Sequence, residues 1–95
     1  MAVYGYARAR VQPALLAQEI QLRAAGCDTV VSDMASSREL RDGWQRLVEA
    51  AITGDTIRVV GWSSLTGNPT EYRLTVRTLA ARGVRVEALG GPPPF

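Results

Sequence analysis

The sequence predicts an α/β domain: a mostly parallel sheet of about four strands with helices on both faces. Two observations carry that reading. Short apolar or β-branched runs alternate with longer segments of helical spacing, in the order strand, helix, strand, helix, strand, helix, strand. Each helical segment also closes on a glycine, Gly26, Gly54 or Gly83, just ahead of the next strand. Ninety-five residues, 46% of them apolar and 21% charged, suffice for one such domain with a modest core.

The opening run VYGYA (3–7) suits a strand, and its glycine admits close approach by another segment. Pro13 fits the first turn of a helix, and the following ALLAQEIQLRAAG sets Leu16, Ile20 and Ala24 at helical spacing. DTVVSD (28–33) is a second strand, followed by the polar stretch MASSRELRD. From there Leu40, Trp44, Leu47, Val48 and Ala51 recur at the spacing of an amphipathic helix with one buried stripe. DTIRVVGW (55–62) has a β-branched centre and reads as a third strand, with SSLTG as a loop behind it.

NPTE is the clearest local signal. Asn68 can cap, Pro69 suits the first helical position, and Glu71 can reach back as in a capping box. The helix is expected to run to Arg82 with Tyr72, Val76, Leu79 and Ala80 on one face, and VRVEAL (84–89) alternates as a last strand. GGPPPF continues neither element and reads as a frayed or extended tail.

Composition removes several kinds of chemistry. There is no histidine, which excludes Ser-His and Cys-His catalysis and most zinc sites, so no metal and no cofactor is expected. Cys27 is the single cysteine, excluding an internal disulfide and reading as a small buried thiol. All eleven basic residues are arginine, a bias that suits phosphate recognition, although thirteen alanines beside them fit a compositional origin equally well. A net charge of +2 is a weak nucleic-acid footprint. No apolar run approaches the ~20 residues of a membrane span and no signal segment opens the chain, so a cytoplasmic protein without membrane contact is expected.

In a parallel α/β sheet, ligand chemistry gathers beyond the carboxyl ends of the strands. Those ends carry Arg8 and Arg10, the stretch from Asp33 to Arg41, and the stretch from Ser63 to Asn68. Arginines at strand ends imply a carboxylate, a phosphate or open solvent nearby, with Asp33 and Asp55 as candidate internal partners. Ser36, Ser37, Ser63 and Ser64 are candidate nucleophiles only if something activates them, since loop serines ordinarily satisfy backbone. SSLTGNPTE offers hydroxyls and the positive end of a helix, with Glu71 favouring self-capping over an external phosphate. Neither a GxGxxG nor a P-loop pattern is present, and Leu74 lies off the apolar stripe of its helix, where it could meet a partner.

Nearly the whole chain resembles the N-terminal catalytic domain of the serine recombinases, the resolvase and invertase family. The matching stretches are YGYARAR, QLRAAGC, SDMASS, RDGWQRLVEAAITGDTIRVVGW and ARGVRVEAL, in matching order and spacing. The resemblance implies a resolvase-like fold over residues 1–89, with 90–95 as a Gly/Pro tail. In that family a serine in the opening strand attacks a DNA phosphodiester, and an arginine cluster stabilises charge at phosphorus. Here the serine's position is Arg10. Arg8, Ser36 and Arg41 fall on matching positions and are the candidate phosphate-binding residues, together with Arg10.

Where the family has Leu-Asp-Arg-Leu and then a further arginine, this chain has Trp62, Ser63, Ser64, Leu65 and then Gly67. The family's long dimerisation helix and C-terminal helix-turn-helix domain have no counterpart in the 95 residues. The resemblance therefore implies a degenerate domain, inactive in strand cleavage, acting by association with itself, a recombinase partner or DNA. Its alternatives are residual phosphoryl transfer through a loop serine, and a phosphate or nucleic-acid binding module.

Overall fold

The structure, a computed structural model, describes residues 1–35 and 41–93. Four strands, β1 (Val3–Ala9), β2 (Thr29–Met34), β3 (Thr56–Val59) and β4 (Arg85–Ala88), form one sheet in the order β2-β1-β3-β4, every adjacent pair parallel. Helix α1 (Gln12–Ala24) covers one face, while α2 (Asp42–Ala50), the one-turn α3 (Trp62–Leu65) and α4 (Pro69–Ala80) cover the other. This is the expected α/β architecture with helices on both faces. Among the described residues no helix is long and apolar enough to cross a membrane.

The two faces are built differently. Toward α2, α3 and α4 the sheet presents Tyr6, Ile57, Val59 and Val86, which join Leu47, Leu65, Tyr72 and Leu79 in the main core. Toward α1, β1 presents Gly5 and Ala7, which with Leu15, Leu22 and Cys27 make a smaller core. Small strand residues let α1 lie close: a Cβ on Gly5 would sit 3.1 Å from both Cys27 Sγ and Leu22 Cβ. Cys27 is a free, buried thiol, its pKa raised first by burial.

The apolar stripe that announces α1 is not its buried face. Leu15 and Leu22 are buried, whereas Leu16 and Ile20 remain 54% and 60% exposed. The reason is polar: Gln18 and Glu19 turn toward the sheet, Gln18 bonding the main chain of Arg8 and Glu19 accepting from the Ser32 hydroxyl. Two satisfied polar residues on the inner face leave the hydrophobic period pointing outward.

Other local expectations hold or shift slightly. Asn68 Oδ1 caps α4, accepting from Thr70 N at 2.8 Å and Glu71 N at 3.3 Å. The capping box is relayed, since Glu71 Oε2 accepts from Thr66 Oγ1 at 2.7 Å while Thr66 Oγ1 accepts from Asn68 N at 3.2 Å. SSLTG is not all loop, because Trp62–Leu65 turn once as α3 and bury Leu65. Nor are residues 90–93 frayed: Pro93 is buried, and its carbonyl accepts from Arg73 Nη2 at 3.5 Å. Leu40, expected to open the second helix, lies outside the described residues.

Candidate functional site

Arg8 sits one residue before the end of β1, directly opposite Asp33 of β2 in the parallel register. Gln18 of α1 grips its main chain twice, Oε1 accepting from Arg8 N at 3.1 Å and Nε2 donating to Arg8 O at 3.0 Å. A side-chain amide bonded to both groups of one residue fixes that residue's position as a neighbouring strand would. The guanidinium is only partly exposed, with Nε and Nη2 buried.

Beside it lies a hydrogen-bonded hub. Tyr6, buried at 0% exposure, donates its hydroxyl to Asp33 Oδ2 at 2.7 Å. Asp33 also accepts from Gly43 N at 2.9 Å through Oδ1 and from Trp44 N at 3.0 Å through Oδ2. Arg41, the N-cap residue of α2, supplies no side-chain cap, so a carboxylate from β2 satisfies the helix start. Gly43 makes room for it, because a Cβ there would lie 2.7 Å from Asp33 Oδ1 and 2.8 Å from Val31 Cγ1. The Trp44 ring packs edge-on against Tyr6 at a 5.1 Å centroid distance.

Burial, then the hydrogen bond and charge of Asp33, push the Tyr6 phenol far above the usual tyrosine range. It is therefore a fixed proton donor to Asp33. The positive charges of Arg8 and Arg41 oppose that shift. Of the residues singled out from the sequence, Arg8 lies opposite Asp33 on the sheet and Arg41 is the N-cap residue of α2, the helix that Asp33 caps.

The others are not part of that cluster. Arg10 lies in the bend after β1 and is exposed, and Asp33 spends its oxygens on Tyr6, Gly43 and Trp44 rather than on Arg10. Asp55, considered as a partner for the arginines, sits at the opposite end of the sheet and accepts from Ala2 N and Ile52 N, both at 2.9 Å. Ser63 is exposed and Ser64 half-buried on α3. No base is within hydrogen-bond reach of either hydroxyl among the described residues. Ser36 lies outside the described residues.

Gly67 has neither a positive φ nor a crowded neighbourhood, since a Cβ there would meet nothing within 4 Å. Packing therefore does not demand a glycine where the family resemblance calls for an arginine. Arg41, Thr66, Glu71, Leu74 and Thr75 line an adjoining cavity of about 440 Å³. Tyr6, Gln18 and Gly43 were not legible as site residues, because their partners are 10 to 27 positions away in sequence.

The fold is a parallel α/β domain with Arg8 and Asp33 near the carboxyl ends of its strands. The chain belongs to the resolvase family: residues 3–92 match the family described as "Resolvase, N terminal domain". It is similar to transposon Tn21 resolvase of Escherichia coli, 37% identical over 70 residues, which is 73% of this chain and 38% of that relative. The chain thus spans less than half the length of the curated relative it matches.

Proposed function

We propose that this resolvase-family domain does not cleave DNA and acts by association with itself, with an active recombinase or with DNA. One observation carries the reading: the residue just past β1, where the family resemblance calls for the nucleophilic serine, is the exposed Arg10. A guanidinium is permanently charged and has no hydroxyl to attack phosphorus. Ser63, Ser64 and Gly67 likewise stand in place of three charges expected near the phosphate. Arg8 and Arg41 around a neutral tyrosine and a committed carboxylate suit holding an oxyanion, not breaking its ester.

The test is a covalent-adduct assay on DNA carrying a recombination site, with Ser36→Ala, Ser63→Ala and Ser64→Ala beside the unchanged chain. No protein–DNA link is expected in any of them. A serine-dependent phosphodiester link sinks the proposal.

Phosphate binding without chemistry is the second reading, supported by Arg8 near the carboxyl end of β1 and Arg41 at the start of α2, both of which fall on positions that the family resemblance assigns to phosphate binding. DNA binding by this route falls steeply as salt rises. A flat salt dependence, or an unchanged affinity in Arg8→Ala, counts against it. We also place the working unit at residues 1–89, as the family resemblance implies, and the protein in the cytoplasm, the expectation its sequence raises.

A further inference from the structure

Helix α2 is fastened at both ends by groups from other parts of the fold. At its start Asp33 of β2 accepts from Gly43 N and Trp44 N. At its other end the fastener is Arg82, two residues past the end of α4, whose Nη2 donates to Val48 O at 3.0 Å and to Ala51 O at 2.9 Å. These are carbonyls that the helix end leaves open: Ile52 N, which would continue the helix onto Val48 O, donates to Asp55 Oδ2 instead. The last turn of α2 has no basic residue of its own, so Arg82 also supplies the cation that the negative end of a helix favours.

The main chain adds to this tie. Thr53 Oγ1 donates to Arg82 O at 3.0 Å, and Gly54 N to Gly83 O at 2.8 Å. Gly83 has φ +78°, and a Cβ on it would lie 2.6 Å from Thr53 Cγ2, so the turn after α4 can sit this close to the turn after α2 only as glycine.

Along their length the two helices are less closely joined. A groove of about 290 Å³ runs between them, lined by Trp44 and Val48 of α2, by Leu74 and Thr78 of α4, and by Arg82. Side chains facing such a gap lose the contacts that would fix one helix against the other. Leu47 and the Asp33 bonds hold α2 on the sheet, and the tie at Arg82 sets its position relative to α4. Nine helical residues make a rod of ~13 Å, so a swing at the Arg82 end is carried to Arg41 at the other.

We propose that Arg82 is a positioning residue for Arg41: by holding the carboxyl end of α2 beside α4, it fixes where the start of that helix, and Arg41 with it, stands. Arg82 itself touches no ligand. The consequence for binding rests on the phosphate-binding reading; the consequence for the helix does not.

Amide hydrogen exchange, followed by NMR on the 95-residue chain and on Arg82→Ala, tests the helix. Arg82 is exposed, so its truncation leaves no cavity, and circular dichroism confirms the fold. Exchange at Gly43 N and Trp44 N is expected to quicken about tenfold or more, while Cys27 N, bonded to Leu22 O across the sheet, keeps its rate. Quickening confined to Ala51 N, beside the lost tie, overturns the proposal. Equal quickening everywhere, Cys27 included, is a loss of overall stability and overturns it too.

Binding to a DNA duplex of arbitrary sequence tests the link to Arg41. Arg82→Ala is expected to weaken binding about threefold or more and to lower the salt slope by about one. It adds nothing further to Arg41→Ala, yet adds in full to Arg8→Ala. A direct phosphate contact by Arg82 would instead add to both, and that result overturns the positioning role. A chain that binds no DNA removes the phosphate-binding reading and leaves the exchange rates to decide the proposal.

Discussion

The two ends of the sheet use the same device to different effect. At the amino end Asp55, 4% exposed, ties Ile52 N and Ala2 N together and so closes the turn after α2 onto the start of β1. At the carboxyl end Asp33 ties Gly43 N and Trp44 N, but also takes the Tyr6 hydroxyl and lies within the field shared by Arg8 and Arg41. Asp55 has only backbone donors and the N-terminal charge near it, which makes it structural. Asp33 likewise accepts main-chain N–H groups, but it also holds the hydroxyl of a fully buried tyrosine. A carboxylate's local hydrogen bonds do not reveal its role; the residues around it do.

The largest break in this contrast is expected from Gly43→Ala. Its Cβ cannot keep 2.7 Å from Asp33 Oδ1, so either α2 or Asp33 must move. A loss of about 2–3 kcal/mol in urea unfolding, with weakened phosphate protection of Arg8 and Arg41, is expected. Full stability would show that the α2 start is not held as described. Tyr6→Phe comes next, removing one hydrogen bond to a charged acceptor at a fully buried site and costing about 1–2 kcal/mol. Asp33 keeps its two backbone donors in that variant, so the fold is expected to survive while the placement of the two arginines loosens.

The smallest effect separates the two carboxylates by pH. The N–H groups of Ile52 and Ala2, in that order, hold the Asp55 carboxyl below its ordinary value of 3.8. Because the folded value is the lower one, its stabilisation is fully present above 3.8 and is lost as pH falls through that value toward the folded one. Melting temperature followed into acid is therefore expected to fall less steeply in Asp55→Asn than in the unchanged chain. An identical acid limb in the variant would mean that Asp55 does not contribute to it.

Parts of this architecture were readable in advance for a definite reason. Asn68, Pro69 and Glu71 act within one turn, and Gly26 takes a positive φ directly after the C-cap of α1, so short-range sequence suffices for them. The face of α1 was not readable, because hydrophobic period assumes a dry inner face and the half-buried Gln18 and Glu19 find partners on β1 and β2. Four residues are too few for a helical period to show α3, and the packing of Pro93 depends on Arg73 of another element.

The sequence by itself determined the alternation of the four strands with the longer helices, and the family. All of these depend on residue type and on neighbours a few positions away. Only the tertiary structure decided that Asp33 caps α2, that Tyr6 is locked to it as a donor, and that Gln18 grips Arg8. Each joins groups from different elements, and the parallel register and helix placement that bring them within hydrogen-bond distance arise only when the whole sheet is assembled.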